Sequence, residues 1–424
     1  MESAERIIDF SKWGGVHWKI FSSLSMGYFM WGVIGTLAPL LYPSTDSIWI
    51  LIIPIISQLV GDLAFSYISD AMLGRKTVFF ITLLCYGIGS LLITISALFL
   101  NSNPIVILAG IVIGLLGVEG EVPVALSYAS EIFPLKYREK VLVLFPNFDN
   151  IGAFIASLLA FIVLLNTNSY TLVYLSLGVF SIILIVFTLV IRYLIPESIR
   201  WLMEKGMKEK ALSNIKVLPN KEERIKVEKL NKRVSLSRRF IFLVVISVSQ
   251  FLTYGLMAFT VADYYFSGTV TFLIIAIANL GASAAGFIAP FLIDKVRIRV
   301  FSAFSYIGGA ITMLPILALL SNFSLTLFYL LLILNMFFSE FAWAVRTILE
   351  PTLMPTKRRA FYIGLVRSAN MISYSLSLYF TSSIDLTSFV LYNLALWLMG
   401  SAGAIYWYLR GYDVNYVPIE ETSK

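Results

Sequence analysis

Apolar residues dominate twelve stretches of the chain, each about as long as the roughly 20 residues a helix needs to cross ~30 Å of hydrocarbon. They fall at 18–41, 47–69, 77–100, 104–128, 141–165 and 171–194, and then at 240–262, 270–292, 300–320, 323–345, 360–381 and 387–409. Inside lipid every backbone N–H and C=O must bond within its own segment, so runs of this length predict helices. A membrane barrel would instead show short alternating strands. The expected fold is an all-α membrane protein of twelve transmembrane helices. The expected units are a six-helix bundle over 1–195, cytoplasmic linker helices over 196–239, and a second six-helix bundle with a short tail over 240–424.

Composition agrees with lipid as the main solvent: 58% of the 424 residues are hydrophobic and 13% charged. Soluble chains carry about a quarter charged residues. One cysteine, Cys85, rules out an internal disulfide, and one histidine, His17, rules out a site built from two imidazoles. His17 is expected at the membrane interface. No cleavable signal peptide is evident in the mixed polar start of the chain. No metal or cofactor is expected, and the net charge of +7 does not indicate nucleic-acid binding, because its distribution has another cause.

The connections near 42–46, 101–103, 166–170, 263–269, 321–323 and 382–386 contain no Lys or Arg. The basic residues sit in the alternate connections, the tails and the adjoining helix ends, with Arg367 the exception inside a span. By the positive-inside rule this places both termini in the cytoplasm, in a cell membrane. The longest polar segment, Pro196–Arg239, holds 13 basic and 6 acidic residues. Trp201, Leu202, Ala211, Leu212 and Ile215 are spaced there as in short amphipathic helices; a solvated linker that only sets topology is the alternative.

Two loops repeat six spans apart. Glu131-Ile-Phe-Pro134-Leu-Lys136-Tyr-Arg138 follows span four, and Glu350-Pro-Thr-Leu-Met-Pro355-Thr-Lys357-Arg-Arg359 follows span ten. Asp70 before Gly74-Arg75-Lys76 is echoed by Asp294 before Arg297 and Arg299. Duplicated six-helix halves with a midplane site between them are a common transporter construction.

At these residues the chain resembles the major facilitator superfamily, and within it the sugar porters and metabolite–proton symporters. Ser69-Asp70-Ala-Met-Leu-Gly74-Arg75-Lys76 is similar to the family's loop after span two. Gly120-Glu121-Val-Pro123 with Glu131 and Arg138 is similar to its span-four signature. Pro196-Glu197-Ser198-Ile-Arg200-Trp201-Leu202 is similar to the sugar-porter segment after span six. The chain lacks the Asp that many such symporters carry in span one. The resemblance implies that Asp70, Arg75, Glu131, Arg138, Glu197 and Arg200 form a cytoplasmic gate of ion pairs. Asp294, Arg297, Glu350 and Arg359 would repeat it in the second half.

Charges at bilayer depth cost roughly 2.5–3.5 kcal/mol on insertion scales, so they mark partners or wet cavities. Asp62, Glu119, Glu121, Asp149, Glu340 and Arg367 lie at such depth. Glu119 and Glu121 are about 200° apart around a helix and cannot face one cavity together. Glu121 is the first candidate for a titrating, proton-coupling carboxylate, with a structural role in helix packing the alternative; Asp149 is the second, and Asp62 a further candidate. Span two packs against span eleven in the family, which implies an inter-bundle latch of Asp62 with Arg367, Glu340 being the rival partner.

Gln250 and Tyr254, four apart on one face of span seven, head the substrate-binding candidates. Tyr28, Trp31, Asn335, Trp343 and Asn370 could add stacking and hydrogen bonds; packing is the alternative reading of each. The expected function is secondary active transport of a small polar solute, a sugar or organic acid, by proton symport through alternating access. The expected partners are the solute, protons and the lipid bilayer, with the chain a monomer. An exporter of hydrophobic compounds and a non-transporting sensor of the same fold are the alternatives. One His, one Cys and no nucleophile or phosphate-loop motif argue against an enzyme.

Overall fold

The computed structural model describes residues 2–423 apart from 46, 220, 221, 224, 226 and 231. Twelve long helices run through it: α1 (Gly15–Gly35), α2 (Trp49–Ile68), α3 (Gly74–Phe99), α4 (Pro104–Ile132), α5 (Phe148–Thr167), α6 (Tyr170–Tyr193), α7 (Leu236–Gly255), α8 (Thr269–Ile293), α9 (Ile298–Leu319), α10 (Leu325–Leu353), α11 (Arg359–Thr381) and α12 (Leu386–Arg410). Among the described residues β-structure is limited to one isolated bridge, Ser11 to Glu222. The surface is turned inside out relative to a soluble protein. Phe99, Phe187, Val190, Phe291 and Leu330 point outward, while Glu119, Asp62, Arg192, Arg346 and Arg367 are buried.

The helices start where the chain offers caps. Asn103 accepts from the Ile105 amide just before Pro104 opens α4, and Asp385 accepts from the amides of Thr387 and Ser388 at the start of α12. These side chains satisfy N–H groups that have no partner inside the helix. α2 runs through a wider, π-type turn (Ser69–Leu73) into α3 as one apolar stretch of 51 residues, twice a membrane crossing. It reverses at Gly74, whose φ of +80° suits glycine, and a Cβ there would sit 2.4 Å from the Glu197 carboxylate.

α2 packs on α4 within the first six spans and on α11 of the last six; α5 packs on α1 and on α8. The α2–α11 and α5–α8 seams therefore join the halves. At the first, a Cβ on Gly364 would lie 2.6 Å from Ser66 Oγ and 2.7 Å from the Asp62 carbonyl, so glycine lets the two backbones touch. At the second, Asn147 donates to the Ser283 carbonyl at 3.0 Å.

The described residues of both tails meet those of the segment after α6 at one end, here the tail side. A satellite core of Ile8, Ile199, Trp201, Leu202, Ala211 and Leu218 ties the short helices Glu2–Phe10, Ile199–Glu204 and Lys208–Ile215 together, with Ile215 against it and Leu212 exposed.

Candidate functional site

Between the halves lies a cavity of about 110 Å³, several times the ~10–15 Å³ one ordered water needs. Its first-half wall comes from α1, α2, α4 and α5, with Trp31, Gln58 and Asp149. Its second-half wall comes from α7 and the helical stretch beyond it, α10 and α11, with Gln250, Tyr254, Asp263, Glu340, Trp343, Arg346 and Tyr374. Of the sequence candidates, Trp31, Asp149, Gln250, Tyr254, Glu340 and Trp343 are brought together here. The Trp31 and Trp343 rings lie 6.1 Å apart across the seam.

The remaining candidates lie elsewhere. Asn335 donates to Thr312 at 2.8 Å, tying α10 to α9, and Asn370 donates to Ser247 at 2.8 Å, tying α11 to α7. Tyr28 packs edge-on against Trp31 and Phe145 and does not line the cavity. Glu121, the first choice for coupling, is turned into the first bundle. It accepts from Thr82 at 2.6 Å and from Tyr86, and pairs with Arg192. The 200° offset from Glu119 decides this: with one carboxylate facing the seam, the other must face α3 and α6.

Asp149 and Glu340 face each other from opposite halves. Asn150 bridges them, its backbone amide 2.5 Å from Asp149 and its side-chain amide donating to Glu340 at 2.7 Å. The second Glu340 oxygen has no hydrogen-bond partner among the described residues. Arg346 is pinned beside the cavity, donating to Gln250 at 2.5 Å and to Glu350 at 2.9 Å.

Deeper in the seam, Arg367 crosses the halves. Its close partner is Glu119, which accepts from Nε at 3.0 Å and also from Nη2. Asp62 is 3.5 Å from Nε, within ion-pair reach but too far to hydrogen-bond, and Glu340 is engaged with Asn150 instead. The guanidinium also lies over the Trp31 and Trp343 rings at 5.6 and 5.4 Å.

On the tail side the two halves are joined by a network of ion pairs. Arg75 binds Asp70 at 2.5 Å and Glu131 at 2.9 Å, and Arg359 of the second half reaches the same Glu131 at 3.2 Å. Asp70 also accepts from the Phe361 amide at 2.8 Å, again across the seam. Glu197 accepts from the amides of Arg75 and Lys76 at 2.9 and 3.0 Å, an anion on the positive end of α3. Burial nevertheless holds the Glu197 carboxyl above its usual range.

Arg200 joins Asp9 at 2.9 Å, Glu420 at 2.6 Å and the Glu131 carbonyl at 2.6 Å. Burial alone would pull Arg200 down, but Asp9 and Glu420 outweigh it and raise it. Burial likewise favours neutral Glu420, yet the Arg200 charge holds its carboxyl below the usual range. Arg138 reaches the Val417 carbonyl at 2.8 Å, so the tail is tied down a second time.

The second-half residues do not close into a matching network. Asp294 pairs with Lys140 across the seam at 2.5 Å, Arg297 and Arg299 with Asp413 at 3.8 and 3.0 Å, and Glu350 with Arg346 inside its own bundle. The duplicated spacing repeats the loops without repeating their partners.

Sequence reasoning missed four groups. Arg367 is not alone: Arg192 and Arg346 are fully buried as well, because α6 and α10 carry them inward where a helix end was expected. Asn150 has no role legible in the sequence, yet it contacts both Asp149 and Glu340. The sequence pattern puts Asp263 in a connection, whereas α7 continues through a wide turn (Leu256–Thr260) into Val261–Tyr265 and keeps Asp263 on the cavity wall. The interrupted apolar run hid it.

Two helical bundles that meet along two seams, hold a polar cavity between them and are joined at one end by ion pairs define a carrier-type, multi-pass membrane fold. The chain belongs to the Major Facilitator Superfamily, whose pattern matches residues 20–378. It is 38% identical over 116 residues to the putative niacin/nicotinamide transporter NiaP of Bacillus subtilis, covering 27% of this chain and 28% of that one. It is 30% identical over 166 residues to the niacin transporter NiaP of Acinetobacter baylyi, covering 39% of this chain and 35% of that one. These matches therefore span about a third of the relatives' lengths. Among solved structures, the proton:xylose symporter XylE bound to 6-bromo-6-deoxy-D-glucose superposes with a TM-score of 0.77 at 15% identity, over 96% of this chain and 98% of that one. An inward-open form of XylE from E. coli gives 0.66 at 17% identity, over 96% and 98%.

Proposed function

We propose that the protein is a proton-coupled symporter that carries a small, ring-bearing polar solute across the cell membrane by alternating access. The carrying observation is the cavity between the halves, whose facing carboxylates Asp149 and Glu340 belong to different halves and share Asn150. The two acids sit on opposite halves and meet through Asn150, so relative movement of the halves would change their separation and their access to water. Coupling is assigned to this pair. Glu121, ion-paired inside the first bundle, and Asp62, beside Arg367, are assigned to holding helices together.

The ring-bearing solute is supported by the aromatic wall of Trp31, Trp343, Phe251, Tyr254 and Tyr374 around Gln250. Among the two solute classes named above, the NiaP relatives favour the organic acids and their amides, a pyridine ring with a carboxyl or carboxamide group, over sugars. The tail side, with both termini, is assigned to the cytoplasm from the distribution of Lys and Arg. The Arg75–Glu131–Arg359 network then makes this the state closed to the cytoplasm, and those pairs must part for inward opening.

Proteoliposome uptake tests the reading. Radiolabelled nicotinate, nicotinamide and xylose are offered with and without an inward pH gradient. Accumulation above equilibrium of at least one solute, collapsed by a protonophore, is expected. Uptake indifferent to the gradient removes the symport assignment.

A further inference from the structure

Asp263 stands apart from every other buried acid of the cavity. It is 7% exposed, it lines the cavity, and neither carboxylate oxygen has a hydrogen-bond partner among the described residues. Asp149 and Glu340 have Asn150, and Glu119 has Arg367. No ion pair reaches Asp263 among the described residues, and the one arginine on the cavity wall is engaged elsewhere. Arg346 is taken by Gln250 and Glu350, and Arg367 by Glu119.

A buried carboxylate without a donor is costly, because it gives up its hydration and gains no hydrogen bond in return. A donor supplied from outside the chain would relieve that cost. The surroundings of Asp263 say what kind. Phe259 and Thr260 stand one helical turn before Asp263 on the cavity wall. The Phe259 ring meets Tyr254 edge-on at 5.6 Å, and Tyr374 meets Phe251 at 5.6 Å while its hydroxyl is occupied by Thr260 at 3.0 Å. A carboxylate among aromatic faces favours positive charge and N–H donors and repels anions. The cavity as a whole carries Asp149, Asp263 and Glu340 against the single, already paired Arg346.

We propose that Asp263 and the surrounding rings form a subsite for a nitrogen donor, a protonated amine or an amide N–H, at the end of the solute remote from the Asp149–Glu340 pair. This rests on the cavity being the solute site, and it deepens that reading by selecting amides and amines over free carboxylates.

The test uses purified full-length protein in detergent at pH 7, with quenching of the cavity tryptophans Trp31 and Trp343 as the readout. The probes are nicotinamide, benzylamine and nicotinate. The wild type should bind nicotinamide and benzylamine at least tenfold more tightly than nicotinate. Asp263→Asn should reduce that preference at least tenfold, and Asp263→Glu should keep it. The wild-type discrimination is itself decisive should a variant misfold. Nicotinate binding as tightly as the amide and the amine, or no quenching by either nitrogen donor, overturns the subsite. So does an Asp263→Asn protein with unchanged preference, including one in which only the pH dependence of uptake moves. Failure of symport is read separately, in the gradient-driven uptake above, since quenching in detergent involves no gradient.

Discussion

Removing Arg367 should cost more stability than its single hydrogen-bonded partner suggests. The guanidinium is fully buried, bound by Glu119 through two nitrogens, 3.5 Å from Asp62 and stacked near two tryptophans. Arg367→Met retains the bulk of the stem but leaves two carboxylates facing each other without a cation. Breaking a buried pair from one side costs about 3–5 kcal/mol, whereas replacing all its members together is often close to neutral. Arg367→Met alone should therefore lose about 3–5 kcal/mol, while Arg367→Met combined with Glu119→Gln and Asp62→Asn should recover most of it.

The same bridge ties α11 to α2 and α4 across the seam, so its loss weakens the tail-closed state in particular. A loss of about 3 kcal/mol is on the order of a hundredfold in the ratio of two states. Chemical unfolding in detergent measures the first effect. The second is read by maleimide labelling of Phe259→Cys, on the cavity wall, in a Cys85→Ser background, where the rate should fall at least tenfold in Arg367→Met. An Arg367→Met protein as stable as the wild type, or no less stable than the triple variant, refutes the reasoning. Unchanged labelling would sever the bridge from the conformational equilibrium.

Asp149→Asn should abolish gradient-driven accumulation in proteoliposomes while sparing solute exchange; persistent accumulation would move coupling off the Asp149–Glu340 pair. Glu121→Gln leaves Arg192 uncompensated and should lower thermal stability by about 3 kcal/mol or more with cavity binding unaltered; altered ligand affinity at unchanged stability would contradict its placement. Gly364→Leu puts a side chain into the Ser66–Asp62 contact and should part α11 from α2, seen as raised protease or label access on the tail side. The Glu420 carboxyl is held low by Arg200, so its contribution is present above the ordinary carboxylate pKa of about 4.3 and is lost as pH falls below it. Hydrogen exchange of residues 411–423, corrected for intrinsic rates, should rise relative to the spans as pH falls from about 5 to about 3; protection that persists would show that Arg138 and packing hold the tail without Glu420.

The sequence alone determined the number of spans, the alternation of basic connections and the duplicated loops, because membrane crossing imposes a length and a polarity on every segment independently of its neighbours. It also marked Asp62, Glu119, Asp149, Glu340 and Arg367 as buried charges, since desolvation makes any such residue conspicuous in an apolar run. Which charge meets which was decided only by the tertiary structure. Helical phase sends Glu119 to Arg367 and Glu121 to Arg192, two residues apart in the chain and on opposite sides of a wall. The similar loops at 131–138 and 350–359 converge on one carboxylate, Glu131, and build no second copy of the network, because pairing depends on which seam a side chain faces. Asp263 became visible only once a wide turn carried it past the end of its apolar run and onto the cavity wall: spacing along a chain fixes an angle around one helix, and a site is made where several helices bring their angles together.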